Sequence, residues 1–368
     1  MKRLSLPLTT TFLMLTLAFV ACSGGGGNSD DTKGSNPPSG SSHDVFVVGW
    51  SETGDKITPM LWKNGVASAL THPTNGYSAR ANSVFVSGND VYIAGEESPY
   101  TWIAEYESPV LWKNSVYQSV NLGGYQYARL SSVFVSGNDV YVAGNGYNPT
   151  LQRTVASVWK NGTPTILQPS SQNRSGIANS IFVSGNDVYV AGYEPVNSGG
   201  VATLWKNSVP QSLSDAGMNY DYMENQAFSV FVSGSDVYVA GIVVNSRNRK
   251  FVATLWKNGV AQNLTDGNYD AYAISVFVSG NDVYVAGYEL NAQSRFIAKL
   301  WKNRAAQNLE NDAAATSVYV FGNDVYVAGA EYVLDGRSTA RLWKNGVAQN
   351  LDLGSASGNT MALSVFVK

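Results

Sequence analysis

The residues best suited to chemistry in this sequence are arginines, glutamates and a few ring side chains in segments of variable length. They are Arg80, Arg129, Glu194, Tyr272, Glu289 and His72. Such groups can supply the acid, the base and the anion-stabilising cation of a hydrolase or lyase. No two carboxylates have a spacing diagnostic of paired acid–base catalysis. The sequence therefore assigns no catalytic residue.

The same segments carry most of the tyrosines, which indicates a second chemistry, ligand binding by aromatic rings. Thirteen of the 21 tyrosines fall there, as do Trp50 and Trp102. Rigid aromatic groups mixed with Arg, Asn and Glu are typical of recognition surfaces. Alternatively, single tyrosines only pack loops onto the body of the protein. The candidate ligand-binding residues are Trp102, Tyr127, Arg129, Arg80, Glu194, Tyr222, Tyr272 and Glu289.

Composition excludes some partners. The formal net charge is -3 and 14% of residues are charged, with no basic stripe that could neutralise phosphates, so nucleic acid is not an expected partner. Two histidines and one cysteine leave little material for a transition-metal site. We predict neither a metal nor a cofactor, and a monomeric protein.

The N-terminus has the pattern of an export signal. Lys2 and Arg3 precede a largely apolar run over residues 4–20, which predicts a signal peptide over residues 1–21. Its end, Val20-Ala21-Cys22, resembles the lipobox of bacterial lipoproteins. That resemblance implies a lipid on Cys22, attachment to a membrane, and location in the cell envelope as an outer-membrane lipoprotein. Ordinary cleavage that leaves a free cysteine is the alternative.

Residues 22–43 follow as a Gly/Ser-rich segment, which predicts a flexible tether. With its only cysteine committed to lipid, the mature chain has no thiol for a disulfide, so packing and ring closure must stabilise it.

From Asp44 onward the chain is one repeat, with units 42 to 49 residues apart. Self-similarity at this period indicates stacked structural units. Three blocks each occur seven times. DVYVAG or a variant begins at Asp44, Asp90, Asp139, Asp187, Asp236, Asp282 and Asp324. WKN begins at Trp62, Trp112, Trp159, Trp205, Trp256, Trp301 and Trp343. SVFV or a variant begins at Ser83, Ser132, Ser180, Ser229, Ser275, Ser317 and Ser364.

The sequence of each unit predicts four short strands with turns between them. Runs such as VFV and VYVA are apolar at successive positions, which indicates sheets buried on both faces. Asn-Gly after WK predicts type I′ hairpin turns. Asn303-Arg304 is an exception, because an arginine at positive φ is strained.

The count of units predicts a ring. Ser364–Val367 matches the first strand of a unit, but the other three strands of that unit do not follow it. Residues 44–70 match the second, third and fourth strands of a unit, but no first strand precedes them. Pairing them closes a ring and leaves no open sheet edge. We therefore predict an all-β, seven-bladed β-propeller of four antiparallel strands per blade over residues 44–368. Blade 7 is shared between residues 44–70 and 364–368.

The order of the motifs in each unit resembles the HAF-type extracellular repeats of bacterial proteins. Those repeats run as a Gly-ending strand, an LW-NG hairpin and a return strand. The resemblance implies an extracellular, propeller-like protein and transfers no catalytic residue.

A four-stranded meander places alternate connections at opposite ends. The nearly identical SGND and KNG turns define one side, here the constant-turn face, and the longer links define the variable-loop face. The repeated aspartates are expected to bond turn amides, and the WKN lysines to be solvated. The tether enters on the constant-turn side. Binding residues usually lie on variable loops of a rigid scaffold.

These observations favour a non-catalytic binding module for a glycan, a peptide or an envelope protein. A structural scaffold in envelope assembly is one alternative, and a propeller-type glycan hydrolase or lyase is the other.

Overall fold

A computed structural model describes residues 43–71, 76–99, 107–196, 199–213, 224–333, 336–351 and 358–368. Within these ranges 28 strands form seven four-stranded antiparallel sheets arranged in a ring. The described residues include no helix with the length and apolarity of a membrane span. The fold is a seven-bladed β-propeller, which confirms the prediction from the repeat.

The blades are numbered along the chain, and their strands are given from the channel outward. Blade 1 has β4 (Tyr77–Ser87), β5 (Asp90–Pro99), β6 (Ser108–Lys113) and β7 (Val116–Ser119); blade 2 has β8 (Ala128–Ser136), β9 (Asp139–Asn148), β10 (Arg153–Lys160) and β11 (Thr163–Ile166). Blade 3 has β12 (Ile177–Ser184), β13 (Asp187–Val196), β14 (Gly199–Lys206) and β15 (Val209–Ser212); blade 4 has β16 (Gln226–Ser233), β17 (Asp236–Val244), β18 (Phe251–Lys257) and β19 (Val260–Asn263). Blade 5 has β20 (Ala271–Ser279), β21 (Asp282–Leu290), β22 (Phe296–Lys302) and β23 (Ala305–Asn311); blade 6 has β24 (Ala313–Phe321), β25 (Asp324–Tyr332), β26 (Ser338–Lys344) and β27 (Val347–Asn350). Blade 7 has β28 (Asn359–Val367), β1 (Val45–Thr53), β2 (Lys56–Lys63) and β3 (Val66–Ala69).

The ring closes where β28 pairs with β1, as the count of units predicted. Val45 lies opposite Val367, and the backbones of Asp44 and Lys368 exchange two hydrogen bonds of 2.9 Å. Closure therefore joins the two ends of the described propeller within one sheet.

First strands are longer than the SVFV block suggested. Each continues toward the variable-loop face through a β-bulge just before the serine, for example between Ala81 and Ser83 in β4. The glycine of the DVYVAG block lies opposite the bulge. A Cβ on Gly95 would lie 1.9 Å from the carbonyl oxygen of Arg80, so only glycine fits there. The second strand therefore passes through this glycine instead of ending at it.

Neighbouring blades bury their facing sheets against each other. The seven WKN tryptophans are at most 1% exposed, and each packs into a core shared with the preceding blade. The serine of each SVFV block adds a polar contact. Ser83 Oγ accepts a hydrogen bond of 3.1 Å from the Val133 amide of the next blade. Equivalent bonds of 3.1 to 3.3 Å cross all seven interfaces of the described ring.

The aromatic residue of each SVFV block contributes to a closed ring around the axis. Seven neighbouring centroids are 4.7 to 5.1 Å apart, which places them about 5.5 Å from the centre of a regular heptagon. With contact distances of about 3.5–4 Å between carbons, only a narrow apolar passage is left. The members are Phe85, Phe134, Phe182, Phe231, Phe277, Tyr319 and Phe366.

Candidate functional site

The constant-turn face carries the same polar cluster in every blade. In blade 2, Asp139 accepts hydrogen bonds from Lys160 Nζ at 2.7 Å and from Asn161 Nδ2 at 2.8 Å. Asn161 Oδ1 in turn accepts from the Val140 amide at 2.9 Å. The lysine ammonium also lies 5.0 Å from the centre of the Tyr141 ring. The cluster ties the two hairpin turns of a blade together.

Two expectations about this face are corrected. The aspartates bind the lysine and the asparagine side chain, and it is the asparagine that bonds the amide. The lysines are partly or fully exposed and are also ion-paired, with Nζ–carboxylate distances of 2.7 to 2.8 Å in all seven described blades. Hydrogen bonds from Lys160 and Asn161 hold the pKa of Asp139 below its usual value, and Asp139 raises the pKa of Lys160 to about 12.

On the variable-loop face, the first strands present seven equivalent positions around the mouth of the channel. Each lies three residues before the SVFV serine and opposite the residue that follows the buried glycine. The mouth positions are Arg80, Arg129, Ile177, Gln226, Tyr272, Ala314 and Met361. Three candidate residues, Arg80, Arg129 and Tyr272, are thus brought to one ring. All three lie within strands, because the bulge extends the first strand beyond the SVFV block.

Blades 1 and 2 make the mouth charged. The Arg129 guanidinium forms an ion pair with the carboxylate of Glu107, which is 1% exposed. Glu96, 6% exposed, accepts a hydrogen bond from Asn82, and Asn82 also donates to the Leu130 carbonyl of blade 2 at 2.9 Å. The sector therefore links two blades through side chains that bind across their boundary.

Burial raises the pKa of Glu96 to about 7, and the nearby charge of Glu107 adds to the rise. Arg80, Arg129 and the Asn82 hydrogen bond oppose it without cancelling it. Arg80 also lies 5.8 Å above the ring of Trp50 in blade 7. At neutral pH, Glu96 therefore exchanges between its protonated and ionised forms.

The candidates Glu194 and Glu289 lie away from this ring. Glu194 is 0% exposed and accepts from the Ser170 amide at 2.7 Å and from the Ser170 hydroxyl, with Arg174 3.5 Å away. The cavity beside it measures about 10 Å³, about the room that one water needs. Glu289 forms a mostly buried ion pair of 2.7 Å with Lys299. Both glutamates connect strands and links of the blades.

An aromatic strip on the variable-loop face passes through Tyr272 and spans blades 4 to 6. Successive ring centroids along it are 5.3, 4.7, 5.2 and 5.1 Å apart, and every member is half-buried. The members, in order, are Phe251, Tyr272, Tyr288, Phe296 and Tyr332. All lie at strand ends on the variable-loop face.

The charged sector and the aromatic strip are electrostatically connected across the mouth. The pKa of Tyr193 is raised to about 12 by burial and by Glu224, while Arg129 acts in the opposite direction. Glu224 also contributes to the raised pKa of Tyr272, after burial and Asp270. Tyr193 therefore lies near Arg129 of the charged sector, and the exposed Glu224 lies near both Tyr193 and Tyr272.

The remaining candidates have mixed outcomes. Tyr127 is half-buried and stacks on Tyr147 at 5.5 Å in blade 2, near Arg129. Cys22, His72, Trp102 and Tyr222 lie outside the described residues. Among the described residues, no group of three or more His, Cys, Asp or Glu side chains could hold a metal ion.

Sequence reasoning missed Glu96, Glu107 and Glu224, and it counted Tyr193 among the thirteen tyrosines of the variable links without making it a binding candidate. A signal for Glu96 and Tyr193 was available, since both directly follow a DVYVAG-type glycine and thus face the mouth position. Glu107 and Glu224 had none, because each lies in a link whose contacts come from other parts of the chain.

The fold is similar to about half of each of two longer proteins. A puromycin hydrolase mutant complexed with PGG aligns with 8% identity over 85% of this chain and 52% of that one, at a TM-score of 0.54. The puromycin-hydrolyzing peptidase of Mycobacterium tuberculosis aligns with 10% identity over 83% and 53%, at 0.50. The chain thus spans about half the length of these two proteins, and the likeness concerns the fold alone.

TolB from Acinetobacter baumannii aligns with 13% identity over 86% of this chain and 81% of that one. Its TM-score of 0.43 is too low to support an argument. No protein-family model matches the chain, and no curated protein matches it.

Proposed function

We propose that this protein is a monomeric, lipid-anchored propeller of the cell envelope that binds a glycan, a peptide or an envelope protein without catalysis. A signal peptide over residues 1–21 and a lipid on Cys22 of an outer-membrane lipoprotein, followed by a tether over residues 22–43, would attach it. The ring over residues 44–368, built from HAF-like repeats, would present the variable-loop face to the ligand. Neither nucleic acid nor a metal enters this proposal.

The mouth of the channel is the observation that carries the proposal. Seven equivalent backbone positions hold two arginines, a glutamine, a tyrosine and three apolar residues, although the motifs around them are repeated. A repeated scaffold that differs at one ring of positions matches the usual placement of binding residues on variable parts of rigid folds.

The path of the chain supports an orientation in which the variable-loop face points away from the membrane. His43 and Asp44 join the ring at the constant-turn side, where Asp44 bonds Lys368. A lipid attached through the tether would therefore hold the constant-turn face toward the membrane, leaving the variable-loop face free to meet a ligand.

Capture of envelope components by the full-length chain tests the choice of face. The variable-loop variant carries Tyr127→Ala and Tyr272→Ala, and the matched control is Tyr141→Ala, a half-buried tyrosine of blade 2 on the constant-turn face. We expect the double variant to lose capture of glycan or envelope fractions and the control to keep it. Capture that survives the double variant, or that is lost in the control, would contradict the proposal.

Lipidation is tested separately. Metabolic labelling with a radioactive fatty acid should mark the native chain in membranes and leave Cys22→Ala unlabelled. Labelling of the alanine variant, or none of the native chain, would remove the lipid anchor from the proposal.

A glycan hydrolase or lyase is the second candidate, and Glu96 is the observation that favours it. A carboxyl whose pKa is raised to about 7 is suited to general acid catalysis near neutral pH. Release of new reducing ends from a bound glycan, abolished in Glu96→Gln, would establish this reaction. Intact glycan after prolonged incubation would exclude the hydrolase or lyase and leave non-catalytic binding as the proposed function.

A further inference from the structure

The aromatic strip lies on a rigid support. Phe251, Phe296 and Tyr332 sit at the ends of β18, β22 and β25, and Tyr272 and Tyr288 are directly paired across β20 and β21. Each ring is held by its neighbours at about 5 Å and remains partly accessible. A ligand would meet rings that are already ordered, so little side-chain entropy would be lost on binding.

Three ion pairs within the protein lie along the strip. Lys250 pairs with Asp270 at 2.9 Å, and Asp270 also accepts a hydrogen bond of 2.9 Å from the Phe251 amide. Arg295 forms an ion pair with Asp312. The Glu289–Lys299 pair lies beside Tyr288 in sequence and is mostly buried. A charged ligand would have to compete with these internal partners.

We propose that the aromatic strip binds an uncharged oligosaccharide, an inference that rests on the proposed binding function and names its ligand class. Sugar rings offer apolar C–H faces to the aromatic rings and hydroxyls to polar groups at the strip's edges. The paired carboxylates keep acceptor capacity for those hydroxyls, because an ionised carboxylate accepts more hydrogen bonds than one cation supplies.

The tyrosine hydroxyls also suit a neutral polyol. The hydroxyls of Tyr272, Tyr288 and Tyr332 are protonated at neutral pH, and burial raises their pKa further, so each can both donate and accept. An acyl chain would find polar edges beside every ring instead of a continuous apolar groove, and burying such edges without partners is unfavourable.

Calorimetric titration of the full-length chain tests the inference. The probes are the neutral hexasaccharides of maltose, cellulose and chitin type, and hexagalacturonate as the acidic counterpart. We expect at least one neutral probe to bind, with an affinity that changes less than about twofold between 50 and 500 mM salt, since no ion pair with the ligand forms. Stronger binding of hexagalacturonate, or steep salt dependence, would overturn the inference.

Variants locate the site. Tyr288→Ala should weaken the neutral hexasaccharide about tenfold or more, whereas Tyr288→Phe keeps the ring and should stay within about threefold. The matched control is Tyr147→Ala, a member of the stacked pair on blade 2 outside the strip. If Tyr288→Ala fails to fold, as judged by circular dichroism, Tyr272→Leu replaces it. An equal loss in Tyr147→Ala would contradict the placement.

The outcome also separates this inference from the proposed function. Capture of an envelope protein by the variable-loop face, with no neutral hexasaccharide bound, would leave the binding module standing and overturn the sugar as its ligand. No capture and no sugar binding would overturn both.

Discussion

The two faces of the ring use charge in opposite ways. On the constant-turn face each aspartate is partly exposed and bound by a lysine and an asparagine, and its pKa is lowered chiefly by those hydrogen bonds. At the mouth on the variable-loop face Glu96 is buried near two arginines, and desolvation raises its pKa. An exposed charge gains partners at small cost, while a buried charge loses water that its partners do not fully replace.

The repeated motifs stabilise the scaffold. The clusters at the constant turns, the tryptophans between blades and the serine bonds at the channel each perform one task in every blade. At the mouth the same backbone positions carry different side chains, so the backbone does not dictate them. The constant-turn face offers a ligand seven copies of the same cluster, and therefore many equal, weak contacts. The mouth offers a single arrangement of different side chains.

Truncating the closing strand β28 should have the largest effect on the shared scaffold. Deleting residues 364–368 removes Val365 and Val367, which are 4% and 1% exposed, and each buried side chain contributes about 1.5–3 kcal/mol. It also removes two of the seven inter-blade serine bonds and opens the aromatic ring at Phe366. We expect a large fall in the free energy of unfolding, measured by urea denaturation, and aggregation through the freed edge.

Deletion of Lys368 alone is the control, because it removes an exposed side chain and the two backbone hydrogen bonds to Asp44 but leaves every strand complete. It should change the free energy of unfolding far less. If the five-residue deletion and the native chain have the same free energy of unfolding, closure by β28 does not stabilise the ring.

The scaffold could be predicted from the sequence because the motifs for its strands and turns recur in every unit. Ser364–Val367 lacked a following unit and residues 44–70 lacked a first strand, and only a ring satisfies both. The bulge at positions such as Asn82 was hidden, because one extra residue breaks the alternation that marks a strand. First strands were therefore predicted to start at the serine, and Arg80 and Tyr272 were left outside them.

The site was predictable only in part, for a related reason. Arg80, Arg129 and Tyr272 share one register, which counting back from the serine reveals. Their partners, such as Glu107, lie in other segments of the chain. Contacts between distant segments produce no local pattern in the sequence. Glu194 and Glu289 could not be separated from true mouth residues, because burial by Ser170 and Lys299 depends on the packed structure.

Glu96 gives the next largest effect and tests the contrast in charge. Its pKa is about 7 in the folded protein and near the ordinary 4.5 when unfolded, so the folded state holds the extra proton between these values. The free energy of unfolding should therefore fall as pH rises from about 4.5 to about 7, by up to about 3 kcal/mol from this group. Glu96→Gln should lack this fall, as measured by urea denaturation across that range.

Asp139→Asn on the constant-turn face provides the opposite case. The pKa of Asp139 is lowered in the folded state, so its contribution is present above its unfolded pKa and is lost as pH falls through the folded value. The variant should differ from the native chain without a pH-dependent change between pH 5 and 7.5. Parallel curves for Glu96→Gln and the native chain would show that Glu96 is ionised throughout, and the contrast would fail.

A smaller effect should distinguish two copies of the same tryptophan. Trp256 Nε1 donates a hydrogen bond of 2.8 Å to the Leu213 carbonyl, whereas Trp301 Nε1 has no partner among the described residues. Phenylalanine at either site removes the same ring volume, but Trp256→Phe also leaves a carbonyl without its donor. We expect Trp256→Phe to cost about 1 kcal/mol more than Trp301→Phe in urea denaturation. Equal losses would mean that the repeat is energetically uniform at this position.

The smallest expected effect concerns the one hairpin turn with an arginine. Arg304 has a φ of +72° in the turn after WKN, where Gly162 of blade 2 has +79°. Removing the side chain relieves about 1–2 kcal/mol of strain and returns about 0.4–1 kcal/mol as entropy of the unfolded chain. Arg304→Gly should therefore raise the melting temperature slightly.

The reverse change, Gly162→Arg, should lower the melting temperature, and by backbone strain alone, because nothing lies within 4 Å of a Cβ built there. Ligand capture should be unchanged in both variants if the constant-turn face is only structural. Loss of capture in Arg304→Gly, with its stability raised, would show that the exceptional arginine contacts the ligand. The binding surface would then include the face that we assign to the scaffold, and the distinction between the two faces would no longer hold.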